Sequence, residues 1–159
     1  MRKSHPFEPV WSKQSKILIL GSLPSVVSVE RGFYYMHPAN RFWKILSIIY
    51  NVNLSEASKD MRKAFILQNN LALFDVIDSC EITNSSDQSI QNVKVQNLEE
   101  IINEASIERI LLNGKKAYEL FLKAYPKYES LAILLPSTSS ANASWSLEAL
   151  VDVWQKALE

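Results

Sequence analysis

The fold is decided by K-I-L-I-L-G-S-L-P-S at residues 16–25, followed by G-F-Y-Y-M-H-P-A-N-R-F-W at residues 32–43. The apolar residues that open the first stretch predict a buried strand. The glycine, serines and proline after them predict a loop at the carboxyl end of that strand, where open α/β folds bind ligands. The second stretch places three aromatic rings, a histidine and an asparagine within eight positions. This combination is typical of a pocket that stacks on a flat ring and hydrogen-bonds its edge.

Short apolar runs alternate with helical patterns along the rest of the chain. The runs lie at residues 16–21, 71–76, 109–113 and 130–135, and helical periodicity begins near residues 39, 56, 98, 114 and 146. Runs that are short and apolar on both faces are typical of a parallel sheet with helices on two sides. The pattern therefore predicts the α/β class, as a three-layer α/β/α sandwich.

Polar residues mark helix starts and one long connection. Ser146, with Glu148 in the first turn, predicts the start of the last helix. Asn97 followed by Glu100 resembles a capping box and predicts another helix start. The segment 81–95 is polar and weakly patterned, and we expect it to be a long loop beside the ligand site.

Length and composition predict one domain over residues 1–159, with residues 1–14 as an N-terminal arm. The chain is 47% hydrophobic and has one cysteine, Cys80, which excludes an internal disulfide and is compatible with a reducing compartment. It has neither an apolar run of about 18 residues nor a signal-peptide core. We therefore expect a soluble cytoplasmic monomer that does not associate with a membrane.

Overall charge gives little support to a general nucleic-acid-binding surface. The 17 acidic residues balance the 17 basic ones, so the positive field typical of such surfaces is absent. Any contact with DNA must come from a local basic patch, and the candidates are Arg31, Arg41, Lys44, Lys115 and Lys116. Solvated surface charge explains each of these residues equally simply and is the commoner situation.

The sequence lacks the residue patterns that metal sites, nucleotide-binding sites and serine triads require. Because no Cys/His pair has metal-ligand spacing, we expect no metal site. Neither a G-x-G-x-x-G nor a P-loop motif is present, so we expect no nucleotide cofactor, and none of any other kind. A serine triad would have to combine Ser22 or Ser25 with His37 from the same loop, because the other histidine, His5, falls in a segment expected to fray. Neither serine lies in G-x-S-x-G, which disfavours a triad.

Four segments are expected to converge at one edge of the sheet, because the carboxyl ends of parallel strands meet there. They are residues 21–40, Asp75 with the residues after it, Asn113-Gly114, and residues 136–143. The segments are rich in amides and hydroxyls, so the sequence predicts a polar site that relies on hydrogen bonds.

The motifs in these segments, taken in order, resemble the uracil-DNA glycosylase superfamily. They are G-S-L-P-S, G-F-Y-Y-x-H-P-x-N-R-F-W, the later L-L-N-G and the closing L-P-S-T-S-x-A-N. The resemblance extends from about residue 16 to residue 155 and is closest to the hypoxanthine-DNA (deoxyinosine) glycosylase branch, often called family 6. It implies a four-stranded parallel sheet in the sandwich and a monofunctional enzyme acting on double-stranded DNA. Such an enzyme hydrolyses the N-glycosidic bond of a deaminated base and leaves an abasic site.

The resemblance also implies roles for individual residues. In the hypoxanthine branch the asparagine of H-P-x-N positions the attacking water and maps onto Asn40, while the asparagine of L-N-G supports the transition state and maps onto Asn113. Tyr35 takes the place of the aromatic residue that stacks on the flipped base. Leu23 stands where the mismatch-specific enzymes carry a water-positioning asparagine, and an alkyl group cannot orient water. Residues 136–143 correspond to the segment that enters the minor groove, without the histidine of the classical uracil enzymes.

The chemistry of base excision suggests further candidates around these residues. A flipped base gains stacking energy from an aromatic face, which Tyr34 or Tyr35 can supply, whereas Phe42 and Trp43 fall on the helix and are expected in the core. Asp75 is expected either to accept from a ring N–H of hypoxanthine or uracil, or to cap a helix or loop.

The first loop and its histidine have open alternatives. Backbone N–H groups of the loop that contains Gly21, Ser22 and Leu23 are candidates to bind base oxygens. His37 is expected either in the base site or as a helix-start residue satisfied by the backbone, and the sequence does not choose between these.

The hydroxyls of Ser137, Thr138 and Ser139 are candidates to bind phosphate oxygens of DNA, helped by Arg41 or Lys115. Such contacts position DNA without reading its sequence. A hydroxyl-rich turn that caps the last helix explains the same residues, and both roles can hold together.

Two other functions stay open at this point. A uracil or mismatch-specific glycosylase shares the H-P-A-N-R-F-W element. A non-catalytic binder of damaged or single-stranded nucleic acid fits the neutral net charge and the absence of an asparagine or aspartate from the first loop.

Overall fold

The computed structural model describes residues 2–83 and 90–159. The strands in these residues are β1 (Arg2–Ser4), β2 (Ile17–Gly21), β3 (Leu71–Asp75), β4 (Ile77–Glu81), β5 (Gln91–Val95), β6 (Arg109–Asn113) and β7 (Ala132–Leu135). The α-helices are α1 (Val26–Arg31), α2 (Phe42–Tyr50), α3 (Lys59–Gln68), α4 (Glu99–Glu104), α5 (Lys115–Ala124) and α6 (Leu147–Leu158). A 3₁₀ helix over Pro126–Leu131 precedes β7.

Four strands form a parallel sheet in the order β3-β2-β6-β7. Each corresponds to one of the apolar runs, so the predicted α/β class and the four-stranded parallel sheet are confirmed. Strands β2 and β3 are buried along their whole length, as expected for a sheet flanked by helices. Gly21 pairs with Asp75 and Asn113 with Leu135, so the strands end together at one edge.

The helices pack where their apolar faces meet the sheet or one another. Helix α2 packs against α6, α3 lies beside β3, and α5 crosses β6 and β7. Ser146 caps α6 by accepting a backbone N–H of the first turn, as predicted. The capping box expected at Asn97 and Glu100 is wrong, because α4 begins after Leu98 and Asn97 Oδ1 accepts from the Glu99 N–H at 3.3 Å. Asn97 lies one residue too early, so its side chain closes a local turn instead.

A second, antiparallel sheet has the order β1-β4-β5. The chain passes from β3 into β4 across Val76 alone, which joins the two sheets. The long loop expected over residues 81–95 is therefore wrong at its end, where β5 pairs with β4, and residues 84–89 of that loop lie outside the described part of the chain. The sequence pattern does not reveal β5 because only two of its residues, Val93 and Val95, pack against apolar clusters, and both stay half-buried.

The main apolar core extends from Val10 to Ala157. Phe42 and Trp43 are buried in it as predicted, and Trp43 Nε1 donates to the Tyr34 carbonyl at 2.9 Å. This hydrogen bond fixes the segment that leads into α2 and carries the aromatic motif. Within residues 2–83 and 90–159, no helix is both long and apolar enough to cross a lipid bilayer.

Candidate active site

A cavity of about 460 Å³ opens at the edge where the parallel strands end. Residues from all four segments that were expected to converge there contribute to its walls. The polar part of the wall contains Gly21, Tyr35, Asn40, Asp75, Asn113 and residues 137–139. The volume is that of a typical small-molecule site.

Gly21 allows two polar side chains to approach the end of β2. A Cβ atom at this position would lie 2.6 Å from Asp75 Oδ1 and 2.7 Å from Tyr35 Oη, far inside van der Waals contact. Asp75 faces Gly21 across the sheet as its partner in β3. Glycine is therefore needed here for space, and the two oxygens lie together at one end of the cavity.

The other oxygen of Asp75 is held by the N-terminal segment. His5 Nε2 lies 2.7 Å from Asp75 Oδ2, and the two side chains are 2% and 4% exposed. The expectation that His5 lies in a frayed terminus is therefore wrong, because β1 pairs with β4 and carries His5 into the interior. Sequence reasoning missed this residue since β1 has only three residues, all polar. The one available signal was that the chain has just two histidines.

Tyr35 has an unusual backbone and an unpaired hydroxyl. Its φ of 56° lies in the left-handed region, which costs a non-glycine residue about 1 kcal/mol or more. Its ring stacks on Phe42 with centroids 4.1 Å apart. Oη is buried and forms no hydrogen bond with the described residues, although Asn113 lies close by. Burial, with the negative charge of Asp75, raises the pKa of Tyr35, so the hydroxyl keeps its hydrogen and is available as a donor.

Tyr34, the other tyrosine considered for stacking, belongs to the core. It is 1% exposed, and its Oη donates to the Glu8 carbonyl at 3.0 Å. Burial, with the nearby charge of Asp75, raises the pKa of Tyr34. Its ring is thus enclosed by protein, which leaves Tyr35 as the candidate stacking residue of this pair.

Asn40 and Asn113 are joined through Thr138. Asn113 Nδ2 donates to Thr138 Oγ1 at 3.1 Å, and Thr138 Oγ1 donates to Asn40 Oδ1 at 2.8 Å. Backbone groups fix both amide orientations. The Thr138 N–H donates to Asn113 Oδ1 and the Phe42 N–H donates to Asn40 Oδ1, each at 3.0 Å.

This chain of hydrogen bonds decides what each amide presents to the cavity. Asn40 Oδ1 accepts two hydrogen bonds, the usual capacity of an amide oxygen. Asn113 Nδ2 carries a second hydrogen besides the one that it donates to Thr138 Oγ1, on a side chain that lines the cavity next to Tyr35. The sequence predicts a phosphate contact for Thr138, whereas the structure shows a residue that is 1% exposed and links the two asparagines. Its hydroxyl was found by sequence reasoning, but its role was not.

The glycine of L-N-G shapes this corner of the cavity. Gly114 has a φ of 100°, which favours glycine strongly. A Cβ there would lie 3.3 Å from Ser137 Cβ, and the Gly114 N–H donates to the Leu135 carbonyl at 3.0 Å. The loop after β7 therefore packs directly on the end of β6, which brings Thr138 to Asn113.

Arg41 is used inside the protein. Its guanidinium donates to the carbonyls of Ser139, Asn142 and Trp145 at distances of 2.5 to 3.1 Å. These bonds hold the loop after β7 against the start of α2. Arg41 thus supports the shape of this loop and does not present a free charge to a phosphate.

The remaining residues of the first loop and the hydroxyl cluster lie at the cavity. Ser22 and Leu23 line it directly after β2, and Ser137 and Ser139 line it after β7. Ser137 Oγ accepts the Ser139 N–H at 3.1 Å. Ser137 and Ser139 therefore belong to a hydroxyl-rich turn and also line the cavity.

Two other predicted site residues are not brought to the cavity. His37 is exposed, and its Nδ1 accepts the Ala39 N–H at 3.0 Å. This is the backbone-satisfied arrangement that the sequence left open. Lys115 is exposed at the start of α5, and its Nζ lies 3.9 Å from Glu119 Oε1.

Other reactive groups in the described part of the chain point to no different chemistry. No three His, Cys, Asp or Glu side chains there are grouped in a way that could hold a metal ion. Cys80 is buried in a small apolar cluster beside β4, and burial raises the pKa of its thiol. A buried thiol with a raised pKa is a packing residue and a poor nucleophile.

Known proteins share this sequence and this fold. The family model described as "Uracil DNA glycosylase superfamily" matches residues 9–158. A hypoxanthine DNA glycosylase from Methanosarcina barkeri is 32% identical over 160 residues, covering 99% of each chain. A hypoxanthine DNA glycosylase from Methanosarcina acetivorans is 32% identical over 145 residues, covering 88% of this chain and 89% of the relative.

A solved structure is similar over nearly the whole chain. It is the solution NMR structure of a candidate uracil DNA glycosylase from Methanosarcina acetivorans. The TM-score is 0.83 at 27% sequence identity, with 99% of this chain and 97% of that chain covered. The likeness therefore includes the N-terminal segment that carries His5.

Proposed function

The chain belongs to the uracil DNA glycosylase superfamily, and on that premise we propose that it removes hypoxanthine from deoxyinosine in double-stranded DNA. The reaction is hydrolysis of the N-glycosidic bond, which leaves an abasic site. Membership of the family confirms the resemblance found in the motifs. The choice of base is supported by the two relatives named hypoxanthine DNA glycosylase.

The observation that carries the proposal is the hydrogen-bonded chain from Asn113 through Thr138 to Asn40 in the cavity wall. It supports the proposal because it links, at the cavity, the two amides to which the resemblance gives catalytic roles. A donor held in place before the reaction, such as Asn113 Nδ2, needs no reorganisation when negative charge develops on the base, which is the main source of such stabilisation. The chain thus supports a site that stabilises a departing base and places a water.

Base recognition is assigned to the end of the cavity beside Gly21. Asp75 Oδ1 is an acceptor for a ring N–H of the flipped base. Phe42 covers one face of Tyr35, and the other face is assigned to stacking, worth about 1–3 kcal/mol per base. The unpaired Tyr35 Oη requires an acceptor, and this role is assigned to the attacking water, because a base stacked on the ring lies out of line with the hydroxyl of that ring.

Cleavage passes through an oxocarbenium-like state, in which the sugar gains positive and the base negative charge. The second hydrogen on Asn113 Nδ2 is assigned to the departing base. Asn40 Oδ1 is assigned to accept a hydrogen bond from the attacking water, in place of the one from the Thr138 hydroxyl, once that hydroxyl has turned away from it. Because a neutral amide is a weak base, this arrangement requires that departure of the base is well advanced before the water attacks.

Contacts with the DNA backbone are assigned to the loop after β7 and to its surroundings. Ser137 and Ser139 lie at the cavity mouth with Lys115 at the nearby start of α5. Arg41 contributes indirectly, since it holds three carbonyls of this loop. Such contacts position the duplex and carry no sequence information.

Uracil is the second candidate substrate. A similar solved structure is described as a candidate uracil DNA glycosylase, and uracil, like hypoxanthine, presents a ring N–H to which Asp75 Oδ1 is an acceptor. Leu23 at the cavity argues for hypoxanthine, because the mismatch-specific enzymes carry an asparagine there. The non-catalytic binder is the third candidate and is consistent with the neutral net charge.

The test compares labelled duplexes that carry a single deoxyinosine or a single deoxyuridine, treated with alkali after incubation to cut at abasic sites. Faster scission at deoxyinosine supports the proposal, and faster scission at deoxyuridine selects the second candidate. Tight binding without scission at either position contradicts both and favours the non-catalytic binder.

A further inference from the structure

We infer that His5 is a positioning residue that fixes the Asp75 carboxylate as a hydrogen-bond acceptor, and so selects deaminated bases over their amino-bearing parents. The inference rests on the proposed function, because it concerns the base that the cavity receives. Nothing in the sequence motifs points to His5, which lies outside every one of them. It is carried instead by the contacts of the N-terminal segment.

The backbone of His5 is held by the second sheet. Strand β1 pairs with β4 in the antiparallel register Arg2↔Glu81, and the pairing continues to Ser4↔Ser79. The His5 N–H then donates to the Asp78 carbonyl at 2.7 Å. The N-terminal segment therefore has a fixed place beside β4, only a few residues after Asp75.

The imidazole ring of His5 is enclosed by aromatic rings. Its centroid lies 5.8 Å from Phe7, 5.9 Å from Tyr34 and 5.1 Å from Phe74, and its side chain is 2% exposed. Both ring nitrogens have partners in this enclosure. Nε2 meets Asp75 Oδ2 at 2.7 Å, and Nδ1 meets the backbone of Phe7, with the carbonyl at 3.0 Å and the N–H at 3.3 Å.

The chemistry of the carboxylate decides which way the hydrogen bond to Asp75 runs. A carboxylate oxygen only accepts hydrogen bonds, so Nε2 carries the ring hydrogen and donates it to Asp75 Oδ2 at 2.7 Å. Nδ1 is then the acceptor for the Phe7 N–H at 3.3 Å. A carboxylate held through one oxygen in this way cannot rotate freely about its Cβ–Cγ bond.

The oxygen that remains is directed at the cavity. Asp75 Oδ1 lies beside Gly21, 2.6 Å from the position of a Cβ there, and Asp75 is one of the residues that line the cavity. Asp75 is itself 3% exposed. A buried carboxylate oxygen with a fixed position presents only lone pairs to the ligand, so it demands a donor at that point.

Deamination changes the base at the position that such an acceptor reads. Hypoxanthine and uracil carry a hydrogen on the ring nitrogen next to the new carbonyl group, whereas adenine and cytosine carry a lone pair on that nitrogen. A lone pair facing a fixed carboxylate oxygen is repelled, and a site built for a donor rejects a base that lacks it. His5 serves this selection by preventing the carboxylate from turning toward the amino group of the undamaged base.

The test uses the full chain and two variants of matched size. His5→Gln keeps an amide donor at the reach of Nε2, and His5→Leu keeps the volume without a donor. Release of hypoxanthine from a deoxyinosine duplex and of adenine from a matched deoxyadenosine duplex is followed under single-turnover conditions. We expect His5→Leu to lower hypoxanthine release by about 10-fold or more, as for the loss of a hydrogen bond to a charged group, and to reduce the preference over adenine. His5→Gln should restore most of both.

A double-mutant cycle with Asp75→Asn separates positioning from general support of the fold. If His5 acts through Asp75, the His5→Leu change has little further effect in the Asp75→Asn background. Equal losses in both backgrounds overturn the inference, as does an unchanged rate and preference in His5→Leu alone. Should His5→Leu fail to fold, His5→Asn replaces it, because its shorter amide does not reach Oδ2.

The control is Asp152→Asn, which changes an exposed carboxylate on α6 and should leave rate and preference unchanged. Failure of the proposed function has a different signature from failure of the inference. If wild-type protein releases neither hypoxanthine nor uracil, the function fails. If wild-type protein releases hypoxanthine and His5→Leu does so equally well, the function stands and the assignment of His5 falls.

Discussion

The two walls of the cavity are built in different ways. One wall joins Asn40, Thr138 and Asn113, which follow strands or precede a helix. Backbone N–H groups fix the side-chain orientations of the two asparagines. The other wall joins Asp75, at the end of a parallel strand, to His5 on a segment held by the antiparallel sheet. The comparison teaches that a motif marks residues that face the ligand, whereas the residues that support them can come from anywhere in the chain.

In the first wall, replacing Asn40 should cause the largest loss of activity. We expect Asn40→Ala to lower single-turnover release of hypoxanthine by about 100-fold or more, the loss typical of removing one preorganised polar group. Circular dichroism should stay that of the wild type, because the side chain is only partly buried. Asn53→Ala, which removes an exposed asparagine before α3, is the control and should release hypoxanthine normally. Unchanged release by a folded Asn40→Ala protein contradicts the role given to Asn40.

In the second wall, a substitution at Gly21 should lower the activity. In Gly21→Ala the new methyl group would lie 2.6 Å from Asp75 Oδ1 and 2.7 Å from Tyr35 Oη. Because the hydrogen bond from His5 prevents the Asp75 side chain from moving away from the new methyl group, we expect the rate of hypoxanthine release to fall by about 10-fold or more, as for overpacking of a close-packed site.

Gly32→Ala is the control for Gly21→Ala. It introduces the conformational cost of an alanine at positive φ without a steric clash. Its φ is 78° and nothing lies within 4 Å of the added atom. We expect a loss of about 1 kcal/mol of stability, measured as a lower Tm, with release retained. If Gly21→Ala, like Gly32→Ala, lowers the Tm but leaves hypoxanthine release unchanged, the close approach of Asp75 and Tyr35 to Gly21 has no part in base binding.

The link within the first wall is tested at Thr138. Thr138→Val keeps the shape but leaves Asn40 Oδ1 and Asn113 Nδ2 short of a partner, so we expect about a 10-fold loss of release from a buried network that is only partly satisfied. Thr138→Ser restores the hydroxyl and should recover most of the rate. Equal rates for the valine and serine variants would show that the hydroxyl does not connect the two asparagines.

The smallest effect is expected at Tyr35, where the two walls meet. Tyr35→Phe removes the unpaired hydroxyl and keeps the ring, so we expect a loss of about two- to tenfold, as for one neutral hydrogen bond. Burial and the charge of Asp75 raise the pKa of Tyr35. A raised pKa keeps a phenol protonated as pH increases, so the ratio of wild-type to variant rates should be the same at pH 7 and pH 10. A ratio that falls to one at pH 10 would show an ionising Tyr35.

Sequence reasoning reached the parallel sheet and most of the cavity for clear physical reasons. Strands β2 and β6 are short apolar runs whose pattern reflects burial on both faces. The carboxyl ends of parallel strands must meet, so the sequence was enough to place Gly21, Asp75 and Asn113 together. Their proximity follows from topology alone.

The rest depended on contacts that leave little trace in sequence. Strands β1 and β5 are short and are held by pairing with β4. β1 has no apolar residue and β5 has only two, Val93 and Val95, which is too short a pattern to identify a strand. The hydroxyl of Thr138 was expected to face DNA, because sequence does not show whether a threonine in a polar loop points outward or into a network. Arg41 was assigned to phosphate for the same reason, while three backbone carbonyls hold its guanidinium.

The most direct test of the proposed reaction identifies the base that is released. Duplexes with a single deoxyinosine are incubated with the wild-type protein and with Asn40→Ala, and the small molecules are separated by chromatography. We predict free hypoxanthine and an unbroken strand with one abasic site from the wild-type protein, and almost none from Asn40→Ala. Duplex that is bound by the wild-type protein but yields no free base would contradict this reaction.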